Sequence, residues 1–175
     1  MHHLDGLVPN TPPSVIRVGG FTRGELIQLL NDHGVRLNAH SSTLLEHEVF
    51  EQRGPEDLRL VEVTVGQIGL ARGGTLPEVF EAARERALAL CPPDTGPYLR
   101  LAWMSQPNAP DSMLSAGRSP AGAVKVAAGP LSGDVRYPKG FYVRVIDHQP
   151  WLRGYRCDDE YVFAPDDRFV FRTAC

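Results

Sequence analysis

Residues 141–155 read FYVRVIDHQPWLRGY, and this stretch decides the fold class. On either side of the polar DHQP segment, apolar side chains alternate with a set that consists mainly of tyrosine, arginine and tryptophan. This alternation is the pattern of a β-hairpin. Whether the loop holds two residues (His148 and Gln149) or four, the predicted register pairs Arg144 with Arg153 and places both on one face of a sheet. The stretch therefore predicts an antiparallel sheet in the C-terminal part of the chain.

Outward from the hairpin, the sequence predicts further strands and an N-terminal pair of helices. Thr22 with Glu25, and Thr75 with Glu78, have the spacing of a capping box, which marks a helix start. The predicted helices cover residues 22–33, about 38–51 and 75–90, and the other predicted strands cover residues 58–65, 98–104, 124–128, 161–164 and 169–173. A helix pair, one further helix and a mainly antiparallel sheet that ends in a C-terminal meander make an α+β fold.

Length and composition are those of one globular domain. The chain has 175 residues, of which 42% are hydrophobic and 22% charged. The Pro- and Gly-rich residues 1–20 are predicted to form an N-terminal arm, and residues 21–175 a single domain. The formal net charge of -3 gives no overall attraction to nucleic acid or to an anionic membrane. Any site for an anion must therefore be local.

The cysteines and the apolar pattern predict a cytoplasmic protein without a membrane association. Cys91, Cys157 and Cys175 are odd in number and form no CxxC pair. The first residues lack the pattern of a signal peptide, and no run approaches the roughly 20 apolar residues of a membrane span. No cofactor is predicted, because no motif for one is present.

Five short segments resemble a group of small bacterial proteins of uncharacterised function, some of which carry a helicase label. The segments are ALCPP (89–93), GPYLRL (96–101), YPKGFY (137–142), WLRGYR (151–156) and DDRFVF (166–171). The resemblance covers about residues 21–173 and implies a common fold. It implies no activity, because the chain has no GxxxxGK[ST] loop to bind the phosphates of a nucleotide.

The hairpin carries the leading functional hypothesis, a site for an anionic ligand on the exposed face of the C-terminal sheet. Its predicted residues are Tyr142, Arg144, Trp151, Arg153 and Tyr155. Guanidinium groups beside aromatic rings suit a nucleotide or a single-stranded nucleic acid, through phosphate contacts and stacking. The alternative is that acidic residues at 158–160 and 166–167 neutralise the arginines as ordinary ion pairs. The segment 105–122, the longest predicted loop, is a candidate to cover this face.

A second hypothesis is a small metal-dependent hydrolase built on the predicted helix 38–51. His47 and Glu51 are four residues apart, and Glu48 stands where the general base of an HExxH enzyme would stand. The motif is incomplete, since Glu51 replaces the second histidine and a third ligand is needed. His40 lies one helical repeat away, and His33 or His148 would have to come from elsewhere. A protein–protein adaptor with an exposed apolar patch is a third possibility.

Overall fold

The computed structural model describes residues 11–51, 53–110 and 119–173, and within these ranges the α+β prediction is confirmed. The α-helices are α1 (Arg23–Asp32), α2 (Ala39–Leu45), α3 (Leu76–Arg84) and α4 (Thr95–Ala102). The strands are β1 (Val15–Val18), β2 (Arg36–Leu37), β3 (Glu56–Thr64), β4 (Gly74–Thr75), β5 (Leu88–Ala89), β6 (Val124–Val126), β7 (Gly140–Ile146), β8 (Gln149–Tyr155), β9 (Val162–Phe163) and β10 (Arg168–Thr173). Of the helices in these ranges, none is long and apolar enough to cross a membrane.

One mainly antiparallel sheet forms the centre of the fold. Its strand order is β1-β3-β10-β6-β7-β8-β2, with β5 beside β10. The pairs β6–β10 and β2–β8 are parallel, and the other pairs of this sheet are antiparallel. The C-terminal strands do not follow one another as a simple meander, because β9 pairs with β4 in a separate two-stranded sheet. The last strand, β10, then returns to the middle of the main sheet.

Each face of the sheet carries its own apolar cluster. Val143, Leu152 and Val170 belong to the first cluster, which also takes the leucines of α1, α2 and α4. Phe169 and Phe171 belong to the second cluster, together with α3 and Phe163 of β9. Because neighbouring residues of a strand point to opposite faces, β10 contributes to both clusters. The main sheet is therefore covered on both sides for much of its area.

Both predicted capping boxes are present, at the starts of α1 and α3, but α3 is shorter than predicted. Thr22 and Glu25 exchange side-chain-to-backbone hydrogen bonds of 3.1 and 3.0 Å at the start of α1. Thr75 and Glu78 do the same at the start of α3. This helix was expected to reach residue 90 but ends at Arg84. Ala87 has φ 60°, so the backbone leaves the helical region, and residues 88–89 pair with β10 instead.

The predicted strand 98–104 is wrong, because these residues lie in and just after α4. Leu99 and Trp103 are four residues apart and both are buried in the first cluster, which a helix achieves as readily as an alternating strand. Pro97 stands in the first turn, where its missing N–H costs no hydrogen bond. The fully buried Arg100 donates from α4 to the Gln106 side chain and to the backbone oxygen of Trp151. These contacts fasten α4 to the hairpin.

Candidate functional site

A cleft of about 550 Å³ lies over β6, β7 and β8, on the side of the second apolar cluster. This volume is in the range of small-molecule sites, roughly 300–1,000 Å³. Its lining is formed by Asn38, Ala39, His40, Ser119, Pro120, Lys125, Tyr142, Arg153, Gly154, Tyr155, Arg156, Cys157, Tyr161 and Phe163. The space is here called the β7–β8 cleft.

One wall of the cleft is the start of α2, which packs directly on β8. The Asn38 amide donates to the Gly154 carbonyl (3.0 Å) and accepts from the Gly154 N–H (2.9 Å). It also caps α2 by accepting from the N–H of Ser41. Gly154 permits this close approach, since a Cβ there would lie 2.7 Å from the carbonyl carbon of His40. A side-chain amide thus continues the parallel pairing of β2 with β8.

The hairpin is present, but the predicted register is wrong by two residues. Asp147 and His148 both have positive φ, 49° and 63°, which is typical of a two-residue type I′ turn. The strands consequently pair Arg144 with Trp151, and Tyr142 with Arg153. A shift of two residues leaves every side chain on its predicted face. Three of the five predicted site residues line the cleft: Tyr142, Arg153 and Tyr155.

The other two predicted residues, Arg144 and Trp151, do not line the cleft. Arg144 is fully buried, and its Nε donates to the backbone oxygen of Ala121 at 2.6 Å. The expectation that it is exposed is therefore wrong: the segment before β6 covers this end of the sheet. Trp151 is half-buried, and the Arg153 guanidinium carbon lies 4.8 Å from its ring centre. The indole thus orients Arg153 through a cation–π contact.

Arg153 has a buried donor that is not used within the described part of the chain. Its Nε is buried and has no hydrogen-bond partner within the described part of the chain. The neighbouring acids have other contacts: Asp158 accepts from the N–H groups of residues 160 and 161, and Asp167 from that of residue 164. Asp159 lies 3.9 Å from Lys139. The alternative in which these acids neutralise Arg153 is not realised among the described residues.

Lys125 at the floor of the cleft was missed by the sequence analysis. It lies in the middle of β6 and is buried. Its ammonium nitrogen lies 5.2–5.8 Å from the ring centres of Tyr155, Phe163 and Phe169, and it hydrogen-bonds to the Ser119 hydroxyl. The signal in the sequence was a single charge inside the apolar run 123–128, in a chain with 16 arginines and only two lysines.

Burial disfavours the charged forms of several side chains in the cleft and shifts their pKa values accordingly. It lowers the pKa of Lys125 from 10.5 to about 8, against the opposing effect of Asp167 and Cys157. The same loss of solvent raises the pKa of Tyr142, Tyr155 and Cys157. Burial and the charge of Arg156 lower the pKa of His40. Burial thus favours the neutral forms of Tyr142, Tyr155, Cys157 and His40.

The metal hypothesis loses its structural premise, because α2 ends at Leu45 and His47 to Glu51 do not share a helix face. Three of the seven residues of α2 are serine or threonine, which are weak helix formers. His47 instead accepts from the N–H of Val49 and begins a short 3₁₀ turn, Glu48–Phe50. Glu51 pairs with Arg23 at 3.2 Å. No group of three or more potential metal-ligating side chains occurs among the residues that the structure describes.

The predicted covering loop is described only in part. Residues 111–118 of the segment 105–122 lie outside the described residues. Its end does contribute to the cleft, since Ser119 and Pro120 line it.

Comparison of the chain with protein-family models, with curated proteins and with solved structures finds no match. The function must therefore be argued from the cleft itself.

Proposed function

We propose that this chain binds a small anionic ligand with a flat, aromatic or heterocyclic part in the β7–β8 cleft. The observation that carries the proposal is the buried Nε of Arg153, which has no hydrogen-bond partner among the described residues. A buried donor without an acceptor costs about 1–3 kcal/mol, and a ligand oxygen would recover that cost.

The charges of the lining support an anion. Lys125, Arg153 and Arg156 are cations, and the lining residues that the structure describes include no aspartate or glutamate. In a chain with a net charge of -3, such a local excess is a specific feature of this surface. A concave site with low-dielectric walls strengthens its field further.

The tyrosines supply flat apolar surface beside these charges. Tyr142, Tyr155 and Tyr161 line the same space, and Tyr155 and Tyr161 both pack on Phe163. Rings held by such contacts offer a rigid surface for a planar ligand at little cost in conformational entropy. Lys125, Arg153 and Arg156 all line this one cleft, whose volume of about 550 Å³ suits a single small ligand. We therefore favour a ligand the size of a mononucleotide over a single-stranded nucleic acid.

The test is calorimetric titration with AMP as the probe, compared with adenosine and with inorganic phosphate. We expect AMP to bind more tightly than either fragment, because only AMP uses both the charges and the rings. Arg153→Gln should weaken AMP binding about tenfold or more, as expected for the loss of a hydrogen bond to a charged group. Arg59→Gln is the matched control, since Arg59 is an exposed strand arginine outside the cleft.

Three outcomes would contradict the proposal. AMP and a panel of aromatic carboxylates and phosphates could all fail to bind. Binding could be equally strong in Arg153→Gln and Arg59→Gln. A single-stranded oligonucleotide could bind far more tightly than AMP with a steep salt dependence, which would indicate a nucleic-acid surface. If no small anion binds, a protein partner becomes the leading hypothesis.

A further inference from the structure

The chain uses arginine for almost every positive charge, and this makes Lys125 unusual. It has 16 arginines and two lysines, Lys125 and Lys139. Where a fully buried permanent cation is tolerated, at Arg100 and Arg144, the residue is arginine. A guanidinium does not lose its proton in proteins, whereas a buried ammonium does so readily. Lysine at the floor of the cleft therefore offers a neutral amine, which arginine cannot.

The amine of Lys125 is held in a fixed position. The backbone of Lys125 pairs with Tyr142 on one side and with Phe169 on the other. Three aromatic rings and the Ser119 hydroxyl surround the nitrogen, and within the described ranges no carboxylate lies within 4.0 Å of it. A nucleophile fixed in this way is prepared for reaction with a bound ligand.

The amine is also available in its reactive form. Loss of solvent lowers the pKa of Lys125 to about 8, so about a tenth of this amine is neutral at pH 7 and about half at pH 8. The three ring contacts act in the opposite direction, because they favour the ammonium. Their distances, 5.2–5.8 Å, are near the outer limit of about 6 Å for that interaction, so the loss of solvent prevails.

We infer that Lys125 forms an imine with an aldehyde or ketone that carries an anionic group, which Arg153 holds in the cleft. The neutral Nζ attacks the carbonyl carbon and forms the new C–N bond. The nitrogen then gives up two protons overall, and the carbonyl oxygen leaves as water. The products are one imine and one water, and no oxidant or reductant is consumed. This inference rests on the proposed anion site and assigns it a ligand class.

The test is reductive trapping with 4-formylbenzoate, a flat aldehyde with a carboxylate. The full chain is incubated with this probe and sodium cyanoborohydride, which reduces an imine to a stable secondary amine, and the modified residues are identified by peptide mass spectrometry. The α-amino group and Lys139 are the only other primary amines of the chain. Lys139 is an internal control, because it is also buried and lies 3.9 Å from Asp159.

We expect Lys125 to be modified at least tenfold faster than Lys139. Near pH 8, a lysine with a pKa of about 8 has roughly a hundredfold more neutral amine than an ordinary lysine, and burial reduces part of this advantage. Lys125→Arg keeps the charge and should abolish modification at position 125. Arg153→Gln should slow modification of Lys125 about tenfold. In the protein without substitutions, 4-methylbenzoate, which has the carboxylate but no aldehyde group, should protect Lys125. Benzaldehyde, which lacks the anion, should react more slowly than 4-formylbenzoate.

The outcomes separate this inference from the proposed anion site. If 4-methylbenzoate binds in an Arg153-dependent manner but Lys125 reacts no faster than Lys139, the imine is excluded and the anion site stands. If Lys125 reacts quickly with benzaldehyde and 4-formylbenzoate alike, and Arg153→Gln has no effect, the amine chemistry stands and the anion site fails. If neither binding nor selective modification occurs, both are wrong. Lys125 and Lys139 are compared within the protein that carries no substitution. The comparison therefore remains decisive if a variant fails to fold.

Discussion

Gly154→Ala is the sharpest perturbation of the cleft, because its cost can be worked from distances. A Cβ at position 154 would lie 2.7 Å from the carbonyl carbon of His40 and 2.8 Å from the backbone nitrogen of Ser41. Backbone atoms of α2 cannot rotate away, so α2 must move by roughly 0.7–1 Å to restore ordinary contact. Such overpacking costs about 1–3 kcal/mol. The movement also weakens the two Asn38–Gly154 hydrogen bonds, worth about 0.5–1.5 kcal/mol each.

Alanine partly offsets this cost by restricting the unfolded chain, by about 0.4–1 kcal/mol. The net loss is about 2 kcal/mol, which for a domain of this size corresponds to a melting temperature lower by roughly 4–8 °C. Differential scanning calorimetry measures it. Gly133→Ala is the matched control, since a Cβ there meets no atom of the described residues within 4 Å. The expected shift is well above the precision of this measurement. A Gly154→Ala protein that melts within about 1 °C of the parent would refute the close packing of α2 on β8.

Two further predictions concern charges. For Lys125, a folded pKa of about 8 against an unfolded value of 10.5 means that the unfolded chain binds more protons between about pH 8 and 10.5, so stability rises with pH in this range. Relative to Lys125→Met, the parent should gain about 1 kcal/mol between about pH 7 and 9 in urea unfolding, and a constant difference would contradict the buried, shifted amine. For Arg53, whose guanidinium donates to the buried Asp94 at 2.8 and 3.0 Å, Arg53→Met should lower the free energy of unfolding by about 2–3 kcal/mol. This is less than for a fully buried pair because Arg53 is 31% exposed, and Arg17→Met, which breaks an exposed pair, should change it by under about 1 kcal/mol.

The sequence predicted those elements whose signals are local. Both capping boxes are read from residues three apart, and both helix starts are as predicted. The hairpin was also predicted from local alternation, and its face assignments survived an error of register because the error was an even number of residues. Local signals failed where the same apolar residues fit both a strand and a helix. Leu99, Leu101 and Trp103 fit an alternating strand, whereas Leu99 and Trp103 alone fit a helix, and only packing against the hairpin decides for α4.

The sequence did not predict which side chains of the sheet face are buried by distant segments. Periodicity assigns Arg144 and Arg153 to one face correctly, but it does not say which part of that face is covered. The covering of Arg144 comes from residues more than 20 positions earlier, through the bond to Ala121. The opening at Arg153 is bounded by α2, more than 110 positions earlier. Contacts at such separations leave no periodic signal, so the sequence did not distinguish the buried Arg144 from Arg153, which lines the cleft.

Lys125 and the α2 wall occupy different parts of the fold, and this difference bears on the chemistry that we infer. The central position of β6 in the sheet fixes the lysine backbone on both sides, so the floor of the cleft is the rigid part of the site. The facing wall, at the start of α2, is fixed to the sheet edge by the two Asn38–Gly154 hydrogen bonds, and Leu44 and Leu45 of α2 are buried in the first apolar cluster. The imine that we infer would therefore form on an amine whose position is fixed by the sheet, which is the arrangement that a covalent step requires.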